Sequence, residues 1–578
     1  MPMLRMGEST SSTGAYYPGD GSGTTFWGGP GSGTDAPNPR DISNVLYDDH
    51  ERPRWSRRNL SNMVWQWGQF LDHDITLTET SSLPGDFAPI EVGAGDPMMP
   101  MIPFSRSEAA AGTGTDVMNP RQQLNGISSY IDASNVYGSD AVRATALRDI
   151  GNGGRLKTSA GNLLPFNTAG LPNAGGTGAD LFLAGDIRAN EQVGLTAMHT
   201  LFMREHNRLA GMLADNNPTW SDEELYQTSR KIVGAEMQAI TYNEFLPSLL
   251  GRRNTRSLAA DEYDYDQTVD ATIGNEFATS IYRFGHSMLP EELPLARFGQ
   301  EQAGSLPLAD AFFDSTFIAS DGTNGTHHIE QLLMGFSRNK ALEIGPQLTS
   351  AVRNFLFGAP GSGGMDLAAL NIQRGRDHGL PSYNETRRAC GLSPANSFRD
   401  ITRDRKVRRR LKQLYDSVDE IDAWVGALAE DHVRGSSVGE LTLNAMVDEF
   451  TKLRDGDRFF YTGDIELMDN EAIDAVIDLS SWSLSDILVE NTALEHAPED
   501  VFRVGWGGGG LFGGIEDLFG RIGDLLDCFG DRRIDGVRGW FEMPPHLPNE
   551  GVAGVPEPGT ASLLVAGALL CLLRRRMF

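Results

Sequence analysis

The sequence contains little cysteine, little positive charge and no long uninterrupted apolar run. Three cysteines in 578 residues cannot form a disulfide framework. No apolar run reaches the roughly 18 residues of a membrane-spanning helix, which excludes a polytopic membrane protein. Acidic residues outnumber basic ones by 78 to 49, and the net charge of −29 argues against nucleic acid or an anionic membrane as the main partner. Because 40 % of the residues are hydrophobic, the chain can still bury a sizeable core.

Composition divides the chain into four parts. Residues 1–37 are rich in glycine, serine and proline, which predicts an extended or disordered arm. Residues 38–502 have the apolar content of a folded domain, whereas residues 503–554 are rich in glycine and proline and predict a linker. The last part, residues 555–578, combines a short apolar run with three arginines near its end.

Helical periodicity dominates the central domain. Apolar residues recur at helical spacing in four clear segments, residues 59–74, 194–215, 222–250 and 271–287. Strand-like alternation is scarce, and no internal repeat is visible. The sequence therefore predicts a mainly α fold with few short strands.

The first chemically notable motif is WGQFLDHD, residues 67–74. On a helix, Gln69 and His73 are four residues apart and share a face, whereas Asp72 and Asp74 are each rotated by about 100° from His73. One helical turn can thus direct an amide and an imidazole into one cavity and two carboxylates at separate neighbours. A solvated helix face is the alternative interpretation, which the surrounding tryptophan and phenylalanine residues disfavour.

A second motif places oxygen-bearing residues at alternate positions, Ser128, Tyr130, Asp132 and Ser134. A loop of this kind can surround Ca²⁺ with hydroxyl, carboxylate and backbone oxygens. Asp132 alone would leave the ion half neutralised, so a second carboxylate has to come from elsewhere. By itself the motif is a weak signal, and an ordinary polar turn is the better interpretation.

Three further motifs follow, GDIRANE at 185–191, YRFGH at 282–286 and NIQRGRDH at 371–378. Together the five motifs, in this order, closely resemble those of the animal haem peroxidases, the peroxidase–cyclooxygenase superfamily. The resemblance covers about residues 38–495. It implies a mostly helical catalytic domain in which haem b is embedded between helices.

The resemblance also implies a role for each residue on the peroxide side of the haem. His73 corresponds to the distal histidine, which takes a proton from the peroxide and returns it to the departing oxygen. Arg188 corresponds to the distal arginine, whose charge stabilises the breaking O–O bond. Gln69 would hydrogen-bond water or a halide over the iron. Asp72 and Glu191 match the carboxylates that form ester bonds to haem methyl groups in some family members.

On the other side of the haem, His286 resembles the proximal iron ligand. Asn371 would hold the second ring nitrogen of that histidine, and Arg374 would pair with a haem propionate. The resemblance further makes Asp74 the missing carboxylate of the calcium loop. The implied Ca²⁺ ligands are Asp74, Ser128, the Tyr130 carbonyl, Asp132 and Ser134.

The activity implied is reduction of H₂O₂ through a ferryl intermediate, with oxidation of a halide, thiocyanate or a small aromatic donor. Two alternatives stay open, a fatty-acid dioxygenase of the same superfamily and an exported haem-binding adhesion protein. The dioxygenases use a tyrosyl radical three residues before the proximal histidine, where this chain has Arg283, so peroxidase is favoured. In the most strongly oxidising member of the family, a methionine directly after the ester glutamate forms a sulfonium link to the haem vinyl group. Gln192 stands at that position, which predicts weak chloride oxidation.

The C-terminal segment begins with Val-Pro-Glu-Pro-Gly at 555–559, continues with the apolar run 560–573 and ends in a basic cluster. This order resembles the PEP-CTERM sorting signal that exosortase-type enzymes process in Gram-negative bacteria. The resemblance implies an exported, envelope-bound or extracellular protein, although no N-terminal secretory signal is recognisable. A frayed apolar tail is the alternative.

One basic run has no place in these motifs. Residues 405–412 include six arginine or lysine residues and lie beside the acidic segment 416–422. Its simplest interpretation is a solvated helix.

Overall fold

The computed structural model describes residues 36–48, 53–114, 119, 121–297, 300–319, 326–360 and 363–505. The chain divides after Gly508 into two units, and only the first contains described residues. The predicted arm, linker and sorting tail therefore lie outside the described residues, apart from 36–37 and 503–505.

The described residues form a mainly helical fold, as predicted. The helices are α1 Pro39–Ile42, α2 Met63–Ile75, α3 Ser134–Tyr137, α4 Ala141–Leu147, α5 Val193–Asn216, α6 Asp222–Ile240, α7 Leu246–Leu250, α8 Asn275–Thr279, α9 Ser315–Ala319, α10 Thr326–Arg338, α11 Ser350–Arg353, α12 Leu367–Asp377, α13 Tyr383–Ala389, α14 Phe398–Ile401, α15 Arg405–Leu414, α16 Ala423–Ala429, α17 Glu440–Asp455, α18 Ile465–Met468, α19 Glu471–Asp474 and α20 Leu484–Asn491. No helix among these residues is both long enough and apolar enough to cross a membrane.

Strands are few and short in the described part of the chain. They are β1 Ile90–Glu91, β2 Met101–Ile102, β3 Glu292–Arg297 and β4 Gln300–Pro307. Strands β1 and β2 pair antiparallel, as do β3 and β4. Each pair forms a two-stranded sheet, so helices provide most of the core.

Helices α5 and α6 form the centre of that core. Helix α6 begins with a capping box between Ser221 and Glu224, which satisfies amides that a helix start leaves unpaired. It continues through a π-helical turn, Thr241–Phe245, into α7. Gly251 ends the run at φ 92°, a left-handed angle that glycine adopts without strain. The helical prediction for 222–250 therefore matches the structure, with one π-helical insertion.

Helix α2 begins at Met63 and not at residue 59 as predicted. Asn59 has φ 57°, which a right-handed helix cannot contain. Trp67 and Phe70 are fully buried and stack against Phe202 of α5, with ring centroids 5.8 and 5.0 Å apart. This packing fixes the rotation of α2 and turns Gln69 and His73 to a common side.

The segment 271–287, in which apolar residues recur at helical spacing, does not form one continuous helix. Helix α8 ends before Ser280, whose φ of −127° is not helical, and a 3₁₀ helix, Ile281–Ser287, follows. Near the break, side chains donate hydrogen bonds to backbone carbonyl oxygens. Arg283 Nε donates to Ala278 O, and Trp424 Nε1 donates to Arg283 O. Periodicity does not reveal such competition, because Trp424 lies far along the chain.

Candidate active site

The distal side of the site joins α2 to the segment before α5. His73 is buried, and its Nδ1 lies 3.5 Å from Asp186 Oδ1. The Arg188 guanidinium donates to both oxygens of Asp186, at 2.9 and 2.8 Å, and to the carbonyl of Thr76 at the end of α2, at 2.8 Å. Asp186 therefore connects the imidazole and the guanidinium that the sequence predicts to act together.

The protonation states on this side follow from burial and charge. Burial and the neighbouring Arg188 charge hold the pKa of His73 well below its ordinary value, so the imidazole is neutral. Burial opposes ionisation of Asp186, but the charge of Arg188 and its hydrogen bonds outweigh it and lower the Asp186 pKa. The result is a neutral base beside a fixed positive charge.

A network of amides positions Gln69. Gln192 Nε2 donates to Gln66 Oε1 at 2.7 Å and to Gln69 Oε1 at 3.1 Å. Gln69 Nε2 in turn donates to Glu191 Oε2 at 3.3 Å. Gln192 Oε1 also caps α5 by accepting from the Gly194 amide. Both ends of Gln192 are thus engaged by the protein.

The two predicted ester carboxylates, Asp72 and Glu191, are half-buried. Burial raises the pKa of Glu191 to about 7 and also raises the pKa of Asp72. Asp72 Oδ2 lies 3.8 Å from Arg188 Nη1, and Asp72 Oδ1 accepts from the Thr76 hydroxyl at 2.9 Å. Both carboxylates therefore border the same charged space.

The proximal side is formed by the 3₁₀ helix and α12. His286 Nδ1 and Asn371 Nδ2 are 2.7 Å apart, and Asn371 Oδ1 accepts from Arg283 Nη1 at 3.2 Å. Burial and the Arg283 charge lower the pKa of His286 to about 3, so this imidazole is also neutral. Arg283, Asn371 and His286 therefore form a chain of contacts that the sequence indicates only in part.

The two sides face a common space. Arg283 interacts electrostatically with Asp72, Arg188 and Glu191, although it belongs to the proximal turn. His286 is half-buried, and its Nε2 makes no hydrogen bond with any described residue. A neutral imidazole nitrogen that faces a partly open space suits an iron ligand. The residues present therefore fit a haem between His73 and His286.

Arg374, the predicted propionate partner, is partly engaged by the protein. Its Nη1 donates to Ser105 O, Ser107 Oγ and Asp377 Oδ2 at 2.9–3.0 Å, and its guanidinium lies over the Phe104 ring. Its Nε and Nη2 make no hydrogen bond with described residues. Those two nitrogens remain for an anionic group.

The predicted calcium residues converge at the start of α3. Asp74 Oδ1 accepts from the Ser134 hydroxyl at 2.8 Å and from the Asn135 amide at 3.1 Å. Asp74 Oδ2 accepts from the amides of Asp132 and Ala133, both at 3.1 Å. The Ser128 hydroxyl accepts from the Tyr130 amide at 3.0 Å. Asp74, which follows His73, thus ties α2 to the loop.

The donor set fits a hard cation. Burial, together with the negative charge of Asp132, raises the pKa of Asp74 to about 7, and a bound cation would relieve that repulsion. All five predicted ligands supply oxygen, as Ca²⁺ requires. The described residues contain no group of three or more histidine, cysteine or acidic side chains arranged to hold a metal ion. The predicted calcium site contains only two carboxylates, Asp74 and Asp132, and its other ligands are hydroxyl and carbonyl oxygens. The absence of a three-residue group therefore does not test this site.

An aromatic cluster borders Glu191. The Phe313 amide donates to Glu191 O at 3.3 Å, and the Phe357 ring lies 5.1 Å from Phe313 and 5.3 Å from Phe312. Phe313 and Phe357 have φ of 55° and 63°, which side-chain-bearing residues rarely adopt. Backbone strain of this kind concentrates at ligand-binding sites.

Sequence reasoning missed Asp186, Arg283 and Gln192 as positioning residues. Asp186 lies two residues before Arg188 in the same motif, so the sequence shows that these two residues are close together. Nothing in the sequence indicates that Asp186 also lies next to His73. Arg283 was noted only because it is not a tyrosine. Its contact with Asn371 depends on the break at Ser280, which periodicity does not predict.

Comparisons with known proteins agree with this geometry. A sequence model of the animal haem peroxidase family matches residues 3–502. Thyroid peroxidase of Sus scrofa is 36 % identical over 503 residues, covering 77 % of this chain and 52 % of that protein. Peroxinectin A of Dictyostelium discoideum is 35 % identical over 487 residues, covering 80 % and 87 % respectively. The chain thus spans about half of the thyroid peroxidase and most of peroxinectin A.

Solved structures give the same result. Peroxidase A from Dictyostelium discoideum superposes with a TM-score of 0.72 at 32 % identity, covering 85 % of this chain and 98 % of that one. A fatty acid alpha-dioxygenase of Arabidopsis thaliana superposes with a TM-score of 0.68, covering 88 % and 87 %, but at 21 % identity it shows only the shared fold. The predicted fold class is therefore confirmed, and the chain belongs to the animal haem peroxidase family.

Proposed function

We propose that this protein is a haem peroxidase that reduces H₂O₂ and oxidises small anions or aromatic donors. One observation carries the proposal: a buried, neutral His73 lies beside the fixed charge of Arg188, and Arg188 interacts electrostatically with Arg283 on the turn that carries His286. Haem, when bound, supplies the iron that binds peroxide and accepts its oxidising equivalents. A degenerate haem-binding adhesion domain would not need to keep the acid–base pair.

The distal residues divide the work between them. His73 accepts a proton from peroxide and returns it to the departing oxygen, which its lowered pKa permits. Arg188 stabilises the negative charge that develops on that oxygen. Asp186 is a positioning residue, because it holds the Arg188 guanidinium and lies 3.5 Å from His73 Nδ1. Gln69 would hydrogen-bond water or a halide in the same space.

The absorption spectrum of the purified protein, before and after addition of H₂O₂, tests this proposal. We expect a Soret band that shifts on addition of peroxide and returns when a donor such as bromide or a phenol is added. A protein without a Soret band would contradict every haem-dependent function.

A fatty-acid dioxygenase is the second candidate, because alpha-dioxygenases share the fold. Arg283 occupies the position of the radical tyrosine, and the neighbouring Tyr282 is one residue further from His286. The Tyr282 hydroxyl is buried without a hydrogen-bond partner among the described residues, and its ring stacks on Phe277 at 5.0 Å. Measuring oxygen consumption with palmitate, in the absence of a peroxidase donor, distinguishes the two activities, because a dioxygenase consumes O₂ with the fatty acid and a peroxidase does not.

The proposed ester bonds to haem methyl groups go through Asp72 and Glu191. Both carboxyls are half-buried beside Arg188, and burial raises both pKa values. Gln192 cannot form a sulfonium bond, and its amide is held by Gln66, Gln69 and the α5 terminus. A bound haem would therefore lack the electron-withdrawing sulfonium link of the most strongly oxidising member of the family.

We expect chloride to be a poor donor for this reason. In a competition assay near neutral pH, chloride should be oxidised at least about tenfold more slowly than bromide, a barrier difference of about 1.4 kcal/mol or more. The variant Gln192→Met should reduce the difference between the rates of bromide and chloride oxidation. Gln192→Leu, which loses the same hydrogen bonds, should leave that difference unchanged. Efficient chloride oxidation by the wild-type protein would contradict the prediction.

The aromatic cluster supports small aromatic donors as further substrates. Phe312, Phe313 and Phe357 border Glu191 and therefore the edge of the proposed haem site. Phe357 is 38 % exposed, so an apolar ring can reach it from solvent. Phenols would stack there with their hydroxyl directed to the charged space.

We further propose one Ca²⁺ per chain, held by Asp74, Ser128, the Tyr130 carbonyl, Asp132 and Ser134. Asp132→Ala should lower calcium affinity by about tenfold or more, because it removes one of two charged ligands. It should lower haem occupancy too, since Asp74 follows His73 on α2. Metal analysis and the ratio of Soret to protein absorbance measure both effects. Asp264→Ala, an exposed aspartate, is the control, and a fully active calcium-free protein would contradict the site.

The C-terminal tail, by our proposal, is a PEP-CTERM-like sorting signal of a Gram-negative bacterium, processed by an exosortase-type enzyme during export. Its order of motif, apolar run and basic end supports this. Mass spectrometry of envelope or secreted protein should find no peptide that contains Phe578, whereas protein retained in the cytoplasm should keep it. Recovery of intact Phe578 from secreted material would contradict processing.

A further inference from the structure

Helix α15 carries six basic residues and no acidic one, in a chain with a net charge of −29. Val407 and Leu411 are buried on its inner side, where the helix contacts the π-helical turn Ser43–Tyr47. The opposite side is accessible to solvent. This helix contributes nothing to the haem site described above.

Four of its cations form one continuous stripe. Arg405, Arg408, Arg409 and Lys412 are spaced i, i+3, i+4 and i+7, so they follow one helix face for about 10 Å. Three of them are exposed, and Arg408 is half-buried. We call these four residues the α15 stripe. Lys412 lies 5.9 Å from the Phe398 ring, and no member of the stripe makes an ion pair with any described residue.

The stripe contradicts two local rules of helix stability. Like charges three or four residues apart repel each other, and cations at a helix N-terminus oppose the helix dipole. The N-cap Asp404 offers little relief, because its carboxylate already accepts the amides of Lys406 and Val407. Positions where a sequence breaks local rules without compensation within the fold are typically functional.

Several other arginines of this acidic protein are paired with carboxylates. Arg148, Arg353, Arg376 and Arg387 each contact a carboxylate within 3.0 Å. With 78 acidic residues in the chain, four adjacent unpaired cations on one face are not a consequence of composition. The stripe is therefore a surface that is kept open for an anion outside the fold.

We propose that the α15 stripe binds a flexible, single-stranded polyanion of the polyuronate class, which anchors the protein on an acidic polysaccharide. The four charges fall at three levels along the helix axis, Arg405, the adjacent pair Arg408 and Arg409, and Lys412, about 5 Å apart, a spacing comparable to that of a polymer with one carboxylate per sugar ring. Duplex DNA, with one charge per roughly 1.7 Å, and anionic bilayers present wide, dense charge that the remaining acidic surface repels. A thin, sparsely charged chain can follow the stripe alone.

Binding of the full-length holoprotein to immobilised alginate, measured from low to moderate salt, tests the proposal. We expect affinity to fall with salt at a log–log slope of about −3, from four contacts at the ~0.7 per contact of single-stranded polyanions. The variant Arg405→Gln/Arg408→Gln/Arg409→Gln should bind about tenfold or more weakly at low salt. Its haem content should stay unchanged, and its Tm should stay equal or rise because repulsion within α15 is relieved.

The matched control is Arg252→Gln/Arg253→Gln/Arg256→Gln, which removes three exposed arginines after α7 and changes the net charge equally. This variant should bind alginate like the wild type. An equal loss in both variants, or no binding by the wild type at low salt, would overturn the proposal. Tighter binding to a DNA duplex or to phosphatidylglycerol vesicles than to alginate would overturn it as well.

Discussion

Replacement of His73 by alanine should leave haem bound but slow the reaction with H₂O₂ by about 10²–10⁴-fold. The imidazole is buried, neutral and 3.5 Å from Asp186, so it is ready to accept a proton from peroxide. Arg188 keeps its charge in the variant but cannot act as a base. Stopped-flow absorbance at increasing peroxide concentration measures the bimolecular rate directly.

Two control variants are compared with His73→Ala by their rates of reaction with H₂O₂. His496→Ala removes an exposed histidine and should react at the wild-type rate. Asp186→Asn keeps His73 but weakens the hold on Arg188, so its rate should lie between those of the wild type and His73→Ala. A His73→Ala protein that reacts with peroxide as fast as the wild type would show that another group moves the proton.

The second large effect is expected at His286, whose removal should abolish ligation of the haem iron. His286 Nε2 is the imidazole nitrogen on the proximal side that no described residue binds, while Nδ1 is held 2.7 Å from Asn371 Nδ2. The variant His286→Gly should lose the wild-type Soret spectrum and nearly all peroxidase turnover. Absorption and electron paramagnetic resonance spectra report the change of ligand.

Added imidazole separates ligation from folding in this variant. If His286 is the ligand, imidazole should enter the space left by the side chain and restore most of the spectrum. Asn371→Ala should retain the ligand but alter the spectrum, because the Nδ1 contact is lost. A His286→Gly protein with an unchanged spectrum in the absence of imidazole would contradict the proximal assignment.

The sequence predicts the long helices well and the short turns poorly. Helix α5, Val193–Asn216, lies within one residue of the predicted limits because its apolar spacing persists over six turns. The break at Ser280 was not predicted, since it depends on Trp424, which no local pattern connects to it.

The same distinction applies to the site. His73 with Arg188, and His286 with Asn371, were predicted because the motifs of a known family place them together. Asp186 and Arg283 were not predicted as positioning residues, because their contacts depend on packing between distant segments. Motifs identify the groups that react, whereas packing determines which groups hold them.

The wide separation of the site residues along the chain affects how the enzyme is made. Gln69 and Asn371 lie at the two ends of the stretch that supplies both imidazoles, and most buried apolar residues of that stretch belong to one large cluster. The ribosome must therefore release most of the domain before any haem-binding surface exists. Such long-range closure is slow, and haem that binds only the finished fold then stabilises it by mass action. Haem supply during synthesis should consequently set the yield of folded protein.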